Sequence, residues 1–211
     1  MNRPTLDQLV SDLQPVQRLR SPFERAVGFG VAALVLLGLA VSLHVRSDLG
    51  SKLADVSFGI ETAVLFVLFG AATHGALASG VPGARLGPAS RLAALAFGVW
   101  LVVIALRYAP ETAHSGLASG AVCLRRLLLL GLPAAAVLGA LVKRSAPLKT
   151  GASGLLVMLS AAALAVLGTH LLCAKDEAVH VFIWHCSPLL VAATLGSLVG
   201  RSWLRPGCSS G

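Results

Sequence analysis

The chain has 211 residues, of which 56% are hydrophobic and only 12% charged, and its mean hydropathy is +0.82. Such a composition excludes an ordinary soluble domain, because too few polar residues remain to cover the surface of a soluble globule of this length. The formal net charge of +8 would favour nucleic-acid binding in a soluble protein, but in a membrane protein the position of each Lys and Arg matters more. We therefore expect no direct nucleic-acid binding.

The first 22 residues precede the apolar part of the chain and contain a short amphipathic pattern. Thr5 is a predicted N-cap, and Pro15 ends the helix predicted over residues 5–14. The apolar stripe of this helix consists of Leu6, Leu9, Val10 and Leu13, at positions i, i+3, i+4 and i+7. A helix this short is not stable alone in water, so it needs a surface to bind.

The charge of this helix favours a protein partner over lipid. Interfacial helices usually carry basic residues on the polar face, whereas Asp7 and Asp12 stand here and would be repelled by an anionic leaflet. We predict a groove in another protein as the partner, with the membrane surface and the chain's own cytoplasmic loops as alternatives. The predicted partner-binding residues are Leu6, Leu9, Val10, Asp12, Leu13, Pro15, Arg18 and Arg20. The two arginines belong to a basic collar that also meets lipid phosphates.

Six apolar stretches follow, each close to the length of about 20 residues that a helix needs to cross a bilayer. They cover residues 26–45, 58–81, 92–106, 124–142, 151–174 and 178–200. The fold class predicted is all-α, a polytopic bundle of six transmembrane helices with the short amphipathic helix before it. The domains are a partner-binding segment (residues 1–22), the transmembrane domain (23–200) and a tail (201–211). The third stretch is the shortest.

An even number of spans places both termini on one side of the membrane. The larger share of the 17 Lys and Arg residues falls on that side, which predicts cytoplasmic termini.

Small residues and two prolines inside the spans predict how the helices pack. Gly28, Gly30 and Gly70, with the alanines 71, 72 and 161–163, should let helices approach closely. Pro133 and Pro188 should each kink a helix or loosen a turn.

Glu61 is the one acidic residue well inside a predicted span. We expect a structural ion pair with Arg107, Arg125 or Arg126 rather than a proton relay.

Two of the four cysteines fall at predicted helix ends on the outer side of the membrane. Cys123 opens the fourth span and Cys173 closes the fifth, so the two can meet in a compartment where disulfides persist. Arg125 and Arg126 follow Cys123 and favour its thiolate, the reactive and metal-binding form. A structural disulfide and a redox- or metal-sensing pair remain open as alternatives.

Further ligand atoms gather around the loop after Cys173. The candidates for metal binding or thiol tuning are His170, Asp176, His180 and His185, although no spacing among them is diagnostic of a particular metal. Cys186 is expected to be a small buried side chain and Cys208 an incidental thiol. No two cysteines form a C-x-x-C pair.

With these residues in view, the chain resembles the NrsF-type membrane anti-sigma factors. The resemblance is carried by residues 9–16 and 18–22 and by residues 173–176 and 182–201. It implies a six-span bacterial inner-membrane protein whose N-terminal segment, here residues 5–20, holds an extracytoplasmic-function sigma factor inactive. It also implies that Cys123 and Cys173 are the outward-facing cysteines needed for the response to heavy metals or oxidants. After Cys173 the family often has a Pro-Glu-Asp-like run, and this chain has Ala-Lys-Asp-Glu.

The resulting hypothesis is an anti-sigma factor that releases its sigma factor when the outer thiols react. A small transporter or metal exporter is the first rival, and it would require broken helices and polar ligands near the bilayer midplane. A thiol-oxidising membrane enzyme is the second, and the missing C-x-x-C pair argues against it. We therefore expect neither catalysis nor a cofactor.

Overall fold

The computed structural model describes residues 20–43, 46–81, 87–108 and 120–204. Within these ranges the chain is helical and has no strand, and six helices are long and apolar enough to cross a bilayer. The predicted all-α, six-span architecture is confirmed. Outside the described residues lie most of the predicted partner-binding residues and the last thiol: Leu6, Leu9, Val10, Asp12, Leu13, Pro15, Arg18 and Cys208.

The described helices follow the predicted order, with small shifts at their ends. They are α1 (Pro22–Leu43), α2 (Leu49–Leu53), α3 (Val56–Ala78), α4 (Gly87–Tyr108), α5 (Ala121–Lys143), α6 (Thr150–Leu172), α7 (Ala178–Val181) and α8 (Ser187–Trp203). A π-helical segment, Phe182–Cys186, joins α7 to α8, so these three pieces form the last span. The third span, predicted as the shortest, covers Gly87–Leu106 and with 20 residues is the shortest of the six, although the helix that carries it, α4, has 22 residues.

Local capping explains where two of the membrane helices begin. The Ser21 hydroxyl accepts a hydrogen bond from the Glu24 amide, and the Glu24 carboxylate accepts one from the Ser21 amide. This reciprocal capping box stands beside Pro22, whose fixed φ suits the first turn of a helix. At the start of α3, the Asp55 carboxylate accepts from the amide and the hydroxyl of Ser57. Both α1 and α3 therefore start where a side chain accepts the hydrogen bond of a backbone amide that has no acceptor within the helix.

The α6 helix is the centre of the bundle. In its most apolar window 78% of the residues are buried, against 17% in α1 and 17% in α5. It packs against α1, α3, α5 and α8. The outer helices present large apolar side chains outwards, among them Val31, Val102 and Leu129, which is unfavourable in water and favourable in lipid.

Three polar contacts join α6 to the antiparallel α3 along their length. Ser153 donates to Ser79 at 2.7 Å, Thr73 and Ser160 share a hydrogen bond of 2.6 Å, and His170 lies 3.6 Å from Glu61. The residue numbers rise along one helix as they fall along the other, so the contacts fix one register. Buried polar groups in an apolar bundle need such partners, and a register slip would separate all of them.

The tight packing predicted from small residues is present at the alanines, since Ala71, Ala72, Ala161 and Ala163 are buried in the core, but not at the three predicted glycines. A Cβ atom added to Gly28, Gly30 or Gly70 would meet no atom within 4 Å, so the prediction that these glycines mediate close approach is wrong. The close approach is between α6 and α8. A Cβ on Gly200 would lie 2.6 Å from the Thr150 carbonyl oxygen, and one on Gly196 would lie 2.5 Å from the Gly154 carbonyl oxygen. Sequence alone does not show which small residues face another helix.

Replacing Gly200 with leucine should therefore push α8 away from α6. We expect the Gly200→Leu variant to be less stable by about 1–3 kcal/mol, because the added side chain collides with backbone that cannot rotate aside. Gly38→Leu is the matched control, since Gly38 is exposed and a Cβ there meets nothing within 4 Å. Thermal unfolding in detergent measures both, and equal melting temperatures for the two variants would contradict this packing.

Candidate functional site

Four side chains with metal-ligand chemistry meet at one end of the bundle. Cys123 is the third residue of α5, Cys173 directly follows α6, His180 lies in α7 and His185 in the π-helical segment. We call these four residues the thiol cluster, and the end of the bundle that carries them the thiol end. The structure brings the two predicted cysteines together and adds two of the four predicted ligand candidates.

The ligand atoms of the thiol cluster lie within 4.8 Å of one another, and all four residues are buried. The two Sγ atoms are 3.4 Å apart, and His180 Nε2 lies 3.3 Å from the Cys123 sulfur and 3.5 Å from the Cys173 sulfur. The His180 and His185 rings meet edge to face, with centroids 5.5 Å apart. No other group of this kind occurs within the ranges that the structure covers.

The π-helical segment places both histidines on one side of the last span. Residues five apart in a straight α-helix are separated by about 140° around the axis. In the π segment the hydrogen bonds run from i to i+5, as from the Ser187 amide to the Phe182 carbonyl, which brings residues five apart closer to one face. Pro188 follows at once and has no amide hydrogen to continue an α-helical ladder. The loosened turn predicted at Pro188 is confirmed.

The Trp184 side chain lies against the start of α5. Its indole packs directly over Gly120, at a distance where a Cβ atom would overlap the ring. A glycine is required there, because any side chain would displace the indole from the start of α5.

His170 and Glu61 form a separate buried pair next to the thiol cluster. The His170 Nδ1 atom lies 3.6 Å from the Glu61 carboxylate, and the ring stacks on Phe58 with centroids 4.2 Å apart. The partner that the structure shows for Glu61 is thus a histidine. Of the arginines predicted to pair with it, Arg126 donates to the carbonyl of Leu172, and the side chain of Arg107 lies outside the described residues. His170 was also a predicted ligand, and the structure places it outside the thiol cluster, against Glu61.

An ion-pair layer of Arg46, Asp48, Lys52 and Asp176 covers the thiol end. The Arg46 side chain is fully buried and binds both oxygens of Asp48, at 2.6 and 2.8 Å. It also donates to Asp176 at 3.1 Å, and Lys52 pairs with the same carboxylate. Asp176, predicted as a possible metal ligand, instead binds these two cations. Because it stands three residues after Cys173, it fixes the loop that carries that thiol.

The charges of this layer are mutually stabilising. The hydrogen bond from Arg46 lowers the pKa of Asp48 to about 2. Burial alone would raise the pKa of Asp176, but its hydrogen bonds to Arg46 and Lys52 outweigh burial and lower it. The pKa of Arg46 is raised, first by its hydrogen bond to Asp48. Asp48, Asp176 and Arg46 are therefore ionised at neutral pH.

Hydrogen bonding within the cluster favours the thiolate form of Cys173. The hydrogen bond from the Cys123 thiol lowers the pKa of Cys173 most, with burial opposing it and His185 and a backbone hydrogen bond at Lys175 adding to it. Arg125 is exposed, and the Arg126 guanidinium donates to the carbonyl of Leu172 at 2.9 Å. That these arginines activate the Cys123 thiol stays a prediction, and the structure shows the two thiols in hydrogen-bond contact.

Sequence reasoning missed the ion-pair layer and the π turn. Arg46 and Asp48 stand two residues apart in the segment after α1, a spacing that suggests a local pair but gives no hint of Asp176 across the bundle. Pro188 signalled an irregular turn, but not its π geometry.

Comparison with known proteins gives two matches. A family model described as "Negative regulator of sigma F" matches residues 9–205. The chain is also similar to the "Probable anti-sigma-F factor NrsF" of Azospira oryzae, with 30% identity over 186 residues, which cover 85% of this chain and 86% of the relative. No solved structure matches the chain.

Replacing Asp176 with asparagine should loosen the ion-pair layer. We expect Asp176→Asn to destabilise the protein by about 1–3 kcal/mol at pH 7, because buried Arg46 loses a charged partner. The pKa of Asp176 is lowered by folding, so its contribution is present above the unfolded pKa of about 4 and is lost as the pH falls through the folded value. The difference between wild type and variant should therefore shrink as unfolding is measured below pH 4.

Glu177→Gln is the control, because it removes the same charge from the exposed neighbouring residue of the same loop. Equal effects of the two substitutions at pH 7 would show that net charge, rather than the pairing with Arg46, determines the stability.

Proposed function

Because this chain belongs to the family of negative regulators of sigma F, we propose that it is a bacterial inner-membrane anti-sigma factor whose N-terminal segment sequesters an extracytoplasmic-function sigma factor. The signal that frees the sigma factor reaches the thiol cluster from outside the cytoplasm. The observation that carries the second half of this proposal is the meeting of Cys123 and Cys173 at one end of the bundle, with their sulfurs 3.4 Å apart.

The N-terminal segment has the features of a detachable partner-binding element. The helix predicted over residues 5–14 is too short to be stable alone in water, so we expect it to fold on binding and to unfold on release. Arg20 is exposed, and the capping box at Ser21 starts α1 directly after it. Six residues, 15–20, separate the predicted helix from the capping box, so we expect a movement of α1 to reach it.

The two sulfurs support two kinds of signal. A peroxide would accept two electrons from the pair: the O–O bond breaks, the sulfurs join as a disulfide, and the protons of the thiols are taken up in the water or alcohol that forms. A soft metal ion would instead bind both sulfurs as thiolates and displace their protons. Either reaction changes the contacts between α5 and α6, the helices that carry the two cysteines.

The signal must be strong enough to invert the occupancy of the sigma factor. Changing a partner from mostly bound to mostly free requires a change in affinity of about 10⁴, or about 5.5 kcal/mol. A disulfide or a coordinated metal supplies free energies of this size, whereas a single exposed contact does not.

The orientation follows from the distribution of charge. The larger share of the 17 Lys and Arg residues lies on the side of the termini, so we assign that side to the cytoplasm and the thiol end to the periplasm. A metal exporter would need ligands near the bilayer midplane, whereas the thiol cluster lies at helix ends.

Charges on the apolar stripe of the N-terminal helix should abolish capture of the sigma factor. We expect Leu9→Asp with Leu13→Asp to weaken binding about 100-fold or more, because two apolar side chains lose their buried surface. The measurement is co-purification of the full-length chain in lipid nanodiscs with a purified extracytoplasmic-function sigma factor.

The matched control is Gln8→Asp with Gln14→Asp, which adds the same two charges to the polar face. We expect this variant to bind nearly as well as wild type. If both double variants lose binding equally, charge rather than the apolar stripe governs capture. If neither variant loses binding, the N-terminal segment is not the binding element.

Replacing either cysteine of the cluster with serine should leave capture of the sigma factor intact and prevent its release. We expect Cys123→Ser and Cys173→Ser to retain the sigma factor and to fail to free it on addition of cadmium or peroxide, as read by a sigma-dependent reporter in cells. Cys186→Ser, which removes a buried thiol outside the cluster, should respond like wild type. Constitutive release in both single variants would sink this mechanism.

A further inference from the structure

We propose that Cys123, Cys173, His180 and His185 form a tetrahedral binding site for one divalent cation of the zinc and cadmium class. The geometry and chemistry of the four donors support binding of the ion. The role of the ion as the signal rests on the function proposed above.

Three distances between the donor atoms are close to the edges of a metal-centred tetrahedron, and the fourth donor, on His185, lies within 4.8 Å of the others. Zinc binds sulfur at about 2.3 Å and imidazole nitrogen at about 2.0–2.1 Å, which gives edges of ~3.8 Å between two sulfurs and ~3.6 Å between sulfur and nitrogen. In the thiol cluster the sulfurs are 3.4 Å apart, and His180 Nε2 is 3.3 and 3.5 Å from them. These three edges therefore need only small outward shifts to admit an ion.

The charge of the donor set fits a divalent ion in a buried place. All four residues are buried, so an uncompensated charge among them is unfavourable. Two thiolates carry two negative charges and two neutral imidazoles carry none, so a bound M²⁺ gives a neutral complex. A monovalent or trivalent ion would leave a net charge inside the protein.

The kinds of donor select the ion. Thiolates with imidazoles in a tetrahedral arrangement suit zinc and cadmium, whereas calcium and magnesium require oxygen ligands in larger numbers. The carboxylates nearby are used elsewhere, because Asp176 is bound by Arg46 and Lys52 and Glu61 faces His170. No hard oxygen donor therefore competes in the cluster.

The surrounding structure holds the donors in place before an ion arrives. Cys173 is fixed from both sides, by Arg126 on the preceding carbonyl and by the salt bridges of Asp176 in its loop. The π turn directs His180 and His185 to the same side, as straight α-helix would not. The His180 Nε2 atom lies within hydrogen-bond distance of both sulfurs, on the side where the ion would bind, and its Nδ1 atom has no hydrogen-bond partner among the described residues.

One ion would tie three parts of the bundle together. Its ligands come from the start of α5, the end of α6 and the irregular start of the last span. Binding would restrain the π segment against both neighbouring helices, and α8 continues from that segment along the close glycine contact with α6. The ion therefore acts on the same helix ends as the thiol chemistry of the proposed function.

The test is a titration with cobalt(II) of the reduced, chelator-treated full-length chain in nanodiscs. We expect one cobalt ion per chain, with the intense visible bands of tetrahedral cobalt and a thiolate-to-cobalt charge-transfer band, both removed by stoichiometric zinc. His180→Gln and His185→Gln should each weaken binding by more than ~100-fold, since each removes a ligand. Cys186→Ser and His74→Gln, which lie outside the cluster, should bind like wild type.

A variant that replaces one ligand with another shows whether lost binding reflects the lost ligand or a misfolded protein. His180→Cys replaces one donor with another, so it should restore binding and raise the charge-transfer intensity by about half, as two thiolates become three. Absence of the tetrahedral bands in wild type, or undiminished binding in both glutamine variants, overturns the metal site.

Capture of the sigma factor is measured on the same samples, so the results distinguish a failure of the metal site from a failure of the anti-sigma function. If wild type captures the sigma factor and releases it with peroxide but binds no cobalt, the metal site is wrong and the anti-sigma function remains. If cobalt binds tetrahedrally but no sigma factor is captured, the site remains and the proposed function is wrong.

Discussion

The position of α6, surrounded by other helices, is the constraint on which the rest of the bundle depends. A helix enclosed in a membrane protein has no water for its polar side chains, so each must find a partner on a neighbour or, as the Thr169 hydroxyl does at the Ala165 carbonyl, on its own backbone. The Ser153, Ser160 and His170 side chains all do so on α3, at three heights. These contacts fix the register of the two helices, and the register in turn determines which residues of α3 reach the thiol end.

The thiol cluster lies where the regular backbone stops, for a related reason. Cys173 is the first residue after α6, and His185 lies in a π turn, so the donors come from positions where a helix ends or widens. Irregular backbone inside a membrane protein is tolerated where protein groups surround it. Here the Trp184 indole, the ion-pair layer and the Arg126 guanidinium provide that cover. The metal-ligand and ion-pair side chains thus lie at one end, and hydrogen bonds between small hydroxyl side chains and contacts of glycines hold the rest of the bundle together.

This arrangement suits a signal that enters at one membrane face and is read at the other. The last span carries two of the four donors at one end and packs through Gly196 and Gly200 against α6 further along. In the function that we propose, chemistry at the thiol cluster moves this span relative to α6, and the bundle passes the change to the segment before α1. The required change in affinity, about 5.5 kcal/mol, is in the range that thiol or metal chemistry provides.

The sequence by itself determined the fold class, because hydropathy over about 20 residues reflects bilayer thickness and does not depend on tertiary contacts. It also placed Cys123 and Cys173 at helix ends of one membrane side, since helix boundaries and the number of spans follow from the same pattern. What only the tertiary structure decided is which side chains face each other. Gly196 and Gly200 rather than Gly28 mediate the close approach, Glu61 meets His170, and Asp176 binds Arg46 across the bundle rather than joining the thiols. Because these helices are apolar on almost every face, their sequences do not show which face of each helix points towards its neighbours. Packing and the pairing of the few buried polar groups determine it instead.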